Sequence, residues 1–381
     1  MSGKPGGRST LFRGAVHGHP GRELGLLVEG SEITWLGQGP PPRRPDEQIV
    51  AGPGEMIAPG FIDLQVNGFA GHDAAGGSDA VAAISAALPR TGVTAFLPTL
   101  ISAPVEVGAH FTATVAGASS PGARVLGAHL EGPFLNPAFR GAHERACMSE
   151  PTTERVDVVL AARPRLTTIA PELPGALEAI ARLGKAGVVV SAGHTGADYE
   201  QGRRAIAAGV RFGTHLYNAM PPTHHRRPGI VLALLLDPRV AVGLIADGEH
   251  VHAAICEQVA RLKGAGRVAL TTDQTAAAGV AAGDYLLSGH RVVSDGLAVR
   301  LPDGTLAGSA AKMDELVRRM AALPGMNAAR AVTMASAAPA GVLSESGLGR
   351  IRTGACADIV LLDAALEVRL TMVGGVVRYR R

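Results

Sequence analysis

Carboxylate and imidazole side chains stand at the ends of several short apolar runs in the middle of this chain. The four that could do chemistry together are Glu131, His194, His215 and Asp273. One carboxylate and two imidazoles suit Zn²⁺ or a similar divalent ion that keeps one coordination position open for water. Such an ion lowers the pKa of water, and Asp273 could take the released proton and return it to a leaving group. These residue types predict metal-dependent hydrolysis.

The stretch 213–230 joins one of these histidines to a polar loop. The apolar run before it ends at Gly213, and His215 follows almost at once. Asn218 and Ala219 come next, then a Pro-Pro break, two His and two Arg. A strand that feeds such a loop is typical of a site at the mouth of a parallel barrel. The same residues would also fit a buried histidine beside a solvated basic loop, so this stretch alone leaves both interpretations open.

The positions of these polar residues depend on the elements that precede them. Eight apolar, strand-like runs alternate with segments of helix-forming composition. The runs begin at Phe61, Val93, Val125, Leu166, Val188, Val210, Val240 and Val268. This alternation predicts an α/β fold, a closed (β/α)8 barrel of the TIM type. Because the carboxyl ends of all its strands meet at one mouth, we expect the polar residues to converge there.

The two chain ends have a different pattern from the centre. Both contain strand-like pieces separated by Gly and Pro, without helical periodicity of useful length. We therefore expect residues 1–58 and 346–381 to build one small β-sandwich domain together. The barrel would then occupy residues 59–345.

Composition excludes several classes of function. The chain has 381 residues, 46% of them hydrophobic, which is ample for a large core. Its 36 basic and 33 acidic residues predict no nucleic-acid surface. Three widely spaced cysteines favour a reducing compartment over a disulfide framework. No signal peptide or membrane-spanning run is visible, so we expect a cytoplasmic protein without a membrane partner.

A set of short motifs accompanies the candidate residues, in a fixed order between Pro59 and Ser309. They are P-G-F-I-D-L-Q-V-N-G, H-L-E-G-P-F, R-G-A-H, G-H-T, T-H-L-Y-N-A-M, H-R-R-P-G, D-G-E-H-V and T-D-Q-T. Each motif alone is weak, but the set resembles that of the N-acetylglucosamine-6-phosphate deacetylases in the amidohydrolase superfamily. The resemblance implies release of acetate and glucosamine 6-phosphate.

The resemblance also implies roles for individual residues. Glu131, His194 and His215 would hold one divalent ion per subunit, with Zn²⁺ as the predicted metal. Asp273 would be the catalytic acid/base, and His143 would polarise the acetamide carbonyl or bind the sugar. The implied substrate contacts are Ala142, His143, Asn218, Ala219, Arg226, His250, Leu306, Ala307 and Gly308.

The partners follow from the same resemblance. The small-molecule partner would be N-acetyl-D-glucosamine 6-phosphate, with Arg226 at its 6-phosphate. Family members are usually homodimers, and the second subunit can supply part of the phosphate site. We therefore expect a homodimer.

Two other interpretations compete with this one. A dihydroorotase- or hydantoinase-like cyclic amidase typically bridges two metals with a carboxylated Lys after strand four and carries His-x-His on strand one. Here the fourth run ends in Ala-Pro-Glu, and strand one carries Gln65 and Asn67. Neutral amides are poor ligands for a transition metal, but they can orient a neighbouring group, so we predict one ion with both amides beside it. A non-catalytic scaffold should have lost ligands that this chain retains.

Overall fold

In the computed structural model, which describes residues 8–381, the centre of the chain forms a parallel barrel. Its eight strands are, in order, Phe61–Val66, Val93–Leu100, the interrupted strand Arg124–Val125 and His129–Glu131, Leu166–Ile169, Val189–Ala192, Phe212–Gly213, Ala241–Leu244 and Val268–Leu270. Each strand pairs in parallel with the next one along the chain. The predicted (β/α)8 barrel is thus confirmed, with one strand for each apolar run.

The first and eighth strands meet through a short junction. A parallel bridge joins Val66 to Gln274. Below it, the buried carboxylate of Asp63 accepts hydrogen bonds from the hydroxyls of Thr271 at 3.2 Å and Thr272 at 2.5 Å. Burial raises the pKa of Asp63 to about 6, although these hydrogen bonds oppose the shift. The junction holds the ends of strands one and eight together.

Helices surround the barrel and cover it through apolar faces. They are Ser78–Ala87, Val105–Gly117, Thr153–Ala162, Ala176–Lys185, Tyr199–Ala208, Gly229–Leu236, Ala253–Lys263, Met313–Ala321, Ala328–Ala335 and Ala337–Val342. In the fourth, Ile180 and Leu183 are buried on one face, as their spacing of three residues requires. The fifth begins at a capping box in which the side chains of Asp198 and Gln201 each accept a backbone N–H of the other.

The chain ends form two four-stranded sheets. The first contains Ser9–Ala15, Glu23–Glu29, Glu32–Gly37 and Glu47–Val50, and the second contains Met56–Pro59, Ile359–Leu362, Val368–Val373 and Val376–Arg380. One hydrophobic cluster includes Phe12 and Leu26 from the first sheet and Ile57, Ile359 and Leu370 from the second. The two ends therefore share a core. The boundaries at 58 and 346 stay a prediction, and residues 1–7 lie outside the described part.

A further antiparallel sheet follows the barrel and reaches its mouth. It consists of Gly283–Leu287, His290–Ser294, Ala298–Arg300 and Leu306–Ser309. The backbone N–H of Ser309 donates to the carbonyl of Asp273 at 2.9 Å. This contact places Leu306 and Gly308 beside the end of the eighth strand. Among the described residues, no helix is both long enough and apolar enough to span a membrane.

Candidate active site

The three predicted metal ligands meet at the barrel mouth. Glu131 ends the third strand, while His194 and His215 follow the fifth and sixth strands. Oε1 of Glu131 lies 3.2 Å from Nε2 of His194 and 2.8 Å from Nε2 of His215. The two Nε2 atoms are 3.1 Å apart, and all three side chains are buried. His194 and His215, which lie 63 and 84 positions after Glu131 in the sequence, are thereby in direct contact with it.

The chemistry of this donor set fits a divalent transition-metal ion. Nδ1 of His194 donates to the carbonyl oxygen of Phe139 at 2.9 Å, so Nε2 of the neutral ring carries a lone pair. That lone pair faces the carboxylate of Glu131, an arrangement that a cation between them would stabilise. Burial opposes ionisation of Glu131, yet the neighbouring imidazoles of His143 and His215 hold the pKa of this carboxyl well below its usual range.

Asp273 is held by the two amides predicted to lie beside the metal. Nε2 of Gln65 donates to Oδ1 of Asp273 at 2.9 Å, and Nδ2 of Asn67 donates to the same oxygen at 2.7 Å. Both amides therefore orient the carboxylate and leave Oδ2 for proton transfer. Burial, followed by the nearby negative charge of Glu131, raises the pKa of Asp273 to about 6. A carboxylate with this pKa can both accept and donate a proton near neutral pH.

The tautomer of His143 is fixed by the backbone. Its Nδ1 accepts the N–H of Ser102 at 3.0 Å. Because a backbone N–H can only donate, Nδ1 holds a lone pair and the proton of the neutral ring is on Nε2. Burial lowers the pKa of His143 to about 4, which favours this neutral form. Its Nε2 lies 3.6 Å from Oε2 of Glu131, so the ring offers a neutral N–H donor beside the triad.

A cavity of about 360 Å³ opens over these groups. The predicted site residues that line it are Asn67, Glu131, Ala142, His143, His194, His215, Asn218, Ala219, His250, Asp273, Leu306 and Gly308. Gln65 is 2% exposed and reaches the cavity only through Asp273, and Ala307 is fully buried behind its neighbours. Within residues 8–381, no Arg or Lys lines this cavity.

Arg226 is a predicted site residue that the fold of one chain places at a different cavity. It is exposed, and its Nη1 lies 2.8 Å from Nε2 of His225. It lines a second cavity instead, together with Arg227 and Tyr199. One chain by itself therefore presents its basic loop away from its own metal triad.

Asp247 orients the predicted substrate contact His250, a role that the sequence pattern did not predict. Its Oδ2 accepts a hydrogen bond from Nδ1 of His250 at 2.7 Å, and its Oδ1 accepts the backbone N–H groups of Glu249 and His250, each at 2.9 Å. The imidazole is thereby oriented with Nε2 as its remaining ring nitrogen for a ligand. The sequence signal for this role is a carboxylate three residues before a histidine, just after a predicted strand.

Comparison with known proteins places this geometry in a family. The model of the amidohydrolase family matches residues 56–378. The N-acetylgalactosamine-6-phosphate deacetylase of Escherichia coli O157:H7 is 38% identical over 332 residues, covering 84% of this chain and 87% of that protein. The N-acetylglucosamine-6-phosphate deacetylase of Bos taurus is 39% identical over 348 residues, covering 87% of this chain and 85% of that protein.

A solved structure agrees over nearly the whole chain. It is that of a mutant N-acetyl-D-glucosamine-6-phosphate deacetylase from Mycobacterium smegmatis in complex with N-acetyl-D-glucosamine 6-phosphate. The two chains are 34% identical and superpose with a TM-score of 0.90, covering 98% of this chain and 100% of the other.

Proposed function

The chain belongs to the amidohydrolase family, and we propose that it hydrolyses the acetamide of N-acetyl-D-glucosamine 6-phosphate, giving D-glucosamine 6-phosphate and acetate. The observation that carries this proposal is the convergence of Glu131, His194, His215 and Asp273 on one cavity. Relatives 38–39% identical over most of their length are named for this deacetylation or for its galactosamine counterpart.

Each of these side chains has its own role in the proposed reaction. An ion held by Glu131, His194 and His215 would supply Lewis-acid activation of water and of the acetamide carbonyl. His143 donates its Nε2–H toward the developing negative charge on the carbonyl oxygen. Asp273 takes the proton of the attacking water and returns it to the sugar nitrogen, which leaves as an amine. Burial of all these groups keeps bulk water from competing with their hydrogen bonds.

The test is an acetate-release assay on the purified, metal-loaded protein. We expect turnover of N-acetyl-D-glucosamine 6-phosphate and much weaker turnover of the unphosphorylated sugar. The galactosamine epimer should be assayed in parallel, because one relative is named for it. Absence of acetate from both sugar phosphates, with the metal bound, would contradict the proposal. Hydrolysis of dihydroorotate or a hydantoin would instead favour the cyclic amidase interpretation.

We predict that metal analysis of the purified protein will approach one equivalent per chain, with Zn²⁺ as the native ion. The amides of Gln65 and Asn67 donate to Asp273, and amides are weak ligands for a second transition metal. Within residues 8–381, Glu131, His194 and His215 form the one cluster of suitable ligands. Two tightly held equivalents, with Glu131 bridging both ions, would contradict this prediction.

We propose that the protein is a homodimer in which Arg226 reaches the phosphate site of the partner subunit. A sugar phosphate carries close to two negative charges and suits a guanidinium donor. The catalytic cavity has no Arg or Lys from residues 8–381 of its own chain, and the exposed Arg226 lies on a loop outside it. A second copy would supply the missing cation.

Arg226→Ala should raise KM for N-acetyl-D-glucosamine 6-phosphate about 10–100-fold, because it removes one charge-assisted hydrogen bond to the phosphate. Turnover of unphosphorylated N-acetyl-D-glucosamine should barely change, so the ratio of the two effects is the quantity to measure. Arg227→Ala, its exposed neighbour, is the matched control. Equal losses on both substrates would mean that Arg226 has a structural role.

Mixed dimers test whether Arg226 acts across the interface. A heterodimer of Arg226→Ala and Asp273→Asn chains would contain one site with both residues intact if Arg226 comes from the partner. At a substrate concentration well below the raised KM of Arg226→Ala, such a heterodimer should be more active on the phosphorylated sugar than either parent homodimer. No recovery would place Arg226 in its own chain's site.

We also propose the cytoplasm as the compartment. Cys147, Cys256 and Cys356 are all free, which suits a reducing environment. A sugar 6-phosphate is likewise a substrate of intracellular metabolism, so the proposed substrate and the free thiols both favour the same compartment. Fractionation of cells that express the tagged chain would test this localisation.

A further inference from the structure

The carboxylate of Glu172 joins two loops of the barrel mouth to the end of the fourth strand. Its Oε1 accepts hydrogen bonds from Nδ2 of Asn136 at 2.8 Å and from the backbone N–H of Gly196 at 2.6 Å. Its Oε2 accepts a hydrogen bond from the hydroxyl of Thr195 at 2.5 Å. Asn136 lies on the loop after the third strand, and the other two donors follow the fifth strand. None of the catalytic roles above uses this half-buried carboxylate.

The two segments that Glu172 joins are the ones that orient His194. Thr195 and Gly196 directly follow His194, whose φ of 48° is in the left-handed region. On the other loop, the N–H of Asn136 donates to the carbonyl of His194 at 3.0 Å, and the carbonyl of Phe139 accepts from its Nδ1 at 2.9 Å. A non-glycine residue keeps such a backbone conformation only where its surroundings enforce it.

We propose that Glu172 is a positioning residue that holds His194 in the orientation needed to bind the metal ion. Its charge strengthens all three hydrogen bonds, and each bond ends on a segment that touches His194. Outer groups of this kind fix the ring orientation of ligating histidines, and their loss typically weakens metal binding about 10–100-fold. The proposal rests on the proposed function only in assuming that an ion binds at the triad.

The experiment compares the Zn²⁺ affinity of Glu172→Gln with that of the unchanged protein by competition with a chelator. Gln keeps the shape of the side chain but replaces one acceptor oxygen with a donor amide. We expect the Kd for Zn²⁺ to rise about 10–100-fold. Glu178→Gln is the matched control, because Glu178 is an exposed carboxylate on the adjacent helix Ala176–Lys185. An unchanged Kd in folded Glu172→Gln would overturn the proposal.

Thermal melting separates positioning from general stabilisation. A purely structural role would lower the Tm of the metal-free protein and leave the rise in Tm on adding Zn²⁺ unchanged. A positioning role makes that rise smaller, because the stabilisation by a ligand follows its affinity. A lower metal-free Tm with an undiminished rise would therefore contradict the proposal.

A second variant tests the hydrogen bond itself. Thr195→Val removes the hydroxyl that donates to Oε2 of Glu172. If both side chains act on His194 through this bond, the double variant Glu172→Gln/Thr195→Val should lose less Zn²⁺ affinity than the two single losses added together. Fully additive losses would contradict the proposal. These measurements need no substrate, so failure of the deacetylation assay would leave their outcome interpretable.

Discussion

Asp273→Asn should lower kcat about 10²–10⁴-fold, the usual contribution of a general acid/base, while the fold and metal content stay unchanged. Asn has the same shape, and its Oδ1 can still accept the hydrogen bonds from Gln65 and Asn67. It cannot take a proton from water or give one to the sugar nitrogen. Steady-state kinetics with parallel metal analysis would measure the effect.

The pH profile is a second readout for Asp273. Burial and the charge of Glu131 raise its pKa to about 6, and the ionised carboxylate is the form that accepts the proton. Activity should therefore rise as pH increases through that pKa. A bound cation would lower the pKa, so the acid limb of kcat/KM should lie at about 6 or below. The limb should vanish in Asp273→Asn.

A different role for Asp273 would give a different result. If its carboxylate only capped the following turn, Asn would serve equally well and turnover would stay near that of the unchanged protein. In the structure, its carboxylate accepts hydrogen bonds from the side-chain amides of Gln65, on the first strand, and Asn67, directly after that strand, and it faces the cavity. Wild-type-like turnover in the variant would contradict the acid/base role.

The convergence of the candidate ligands could be predicted from sequence, because the order of the strands in the barrel follows their order in the chain. Each apolar run contains a barrel strand, and Glu131, His194 and His215 come at or just after the ends of three of these strands. Parallel strands place those ends at one mouth, so the position of a residue relative to its strand sets its position in the site. No long-range contact had to be known in advance.

The groups that orient these ligands could not be predicted in the same way. The carbonyl of Phe139 and the N–H of Ser102 are backbone atoms, and every residue has them. Glu172 follows a strand like the ligands, but its carboxylate turns toward neighbouring loops instead of the triad. The position of Arg226 depends on how its loop folds, and strand spacing carries no information about that.

Glu131→Gln should lower kcat/KM about 10³-fold at ordinary metal concentrations. Oε1 of Glu131 lies within 3.2 Å of the imidazoles of both other predicted ligands, so one substitution removes the negative charge at the centre of the triad. An amide is a poor transition-metal ligand, and the ion should be lost. Lewis-acid activation is worth several kcal/mol, and each 1.36 kcal/mol changes a rate about tenfold.

Adding metal distinguishes the loss of activity in Glu131→Gln from the loss of activity in Asp273→Asn. If Glu131→Gln fails because the site is poorly occupied, excess Zn²⁺ should restore part of its turnover. The same excess should do nothing for Asp273→Asn, which keeps its metal but lacks the proton acceptor. Activity and bound metal should therefore rise together in the first variant and stay unrelated in the second. Full metal content in Glu131→Gln without added Zn²⁺ would show that Glu131 is not a required ligand.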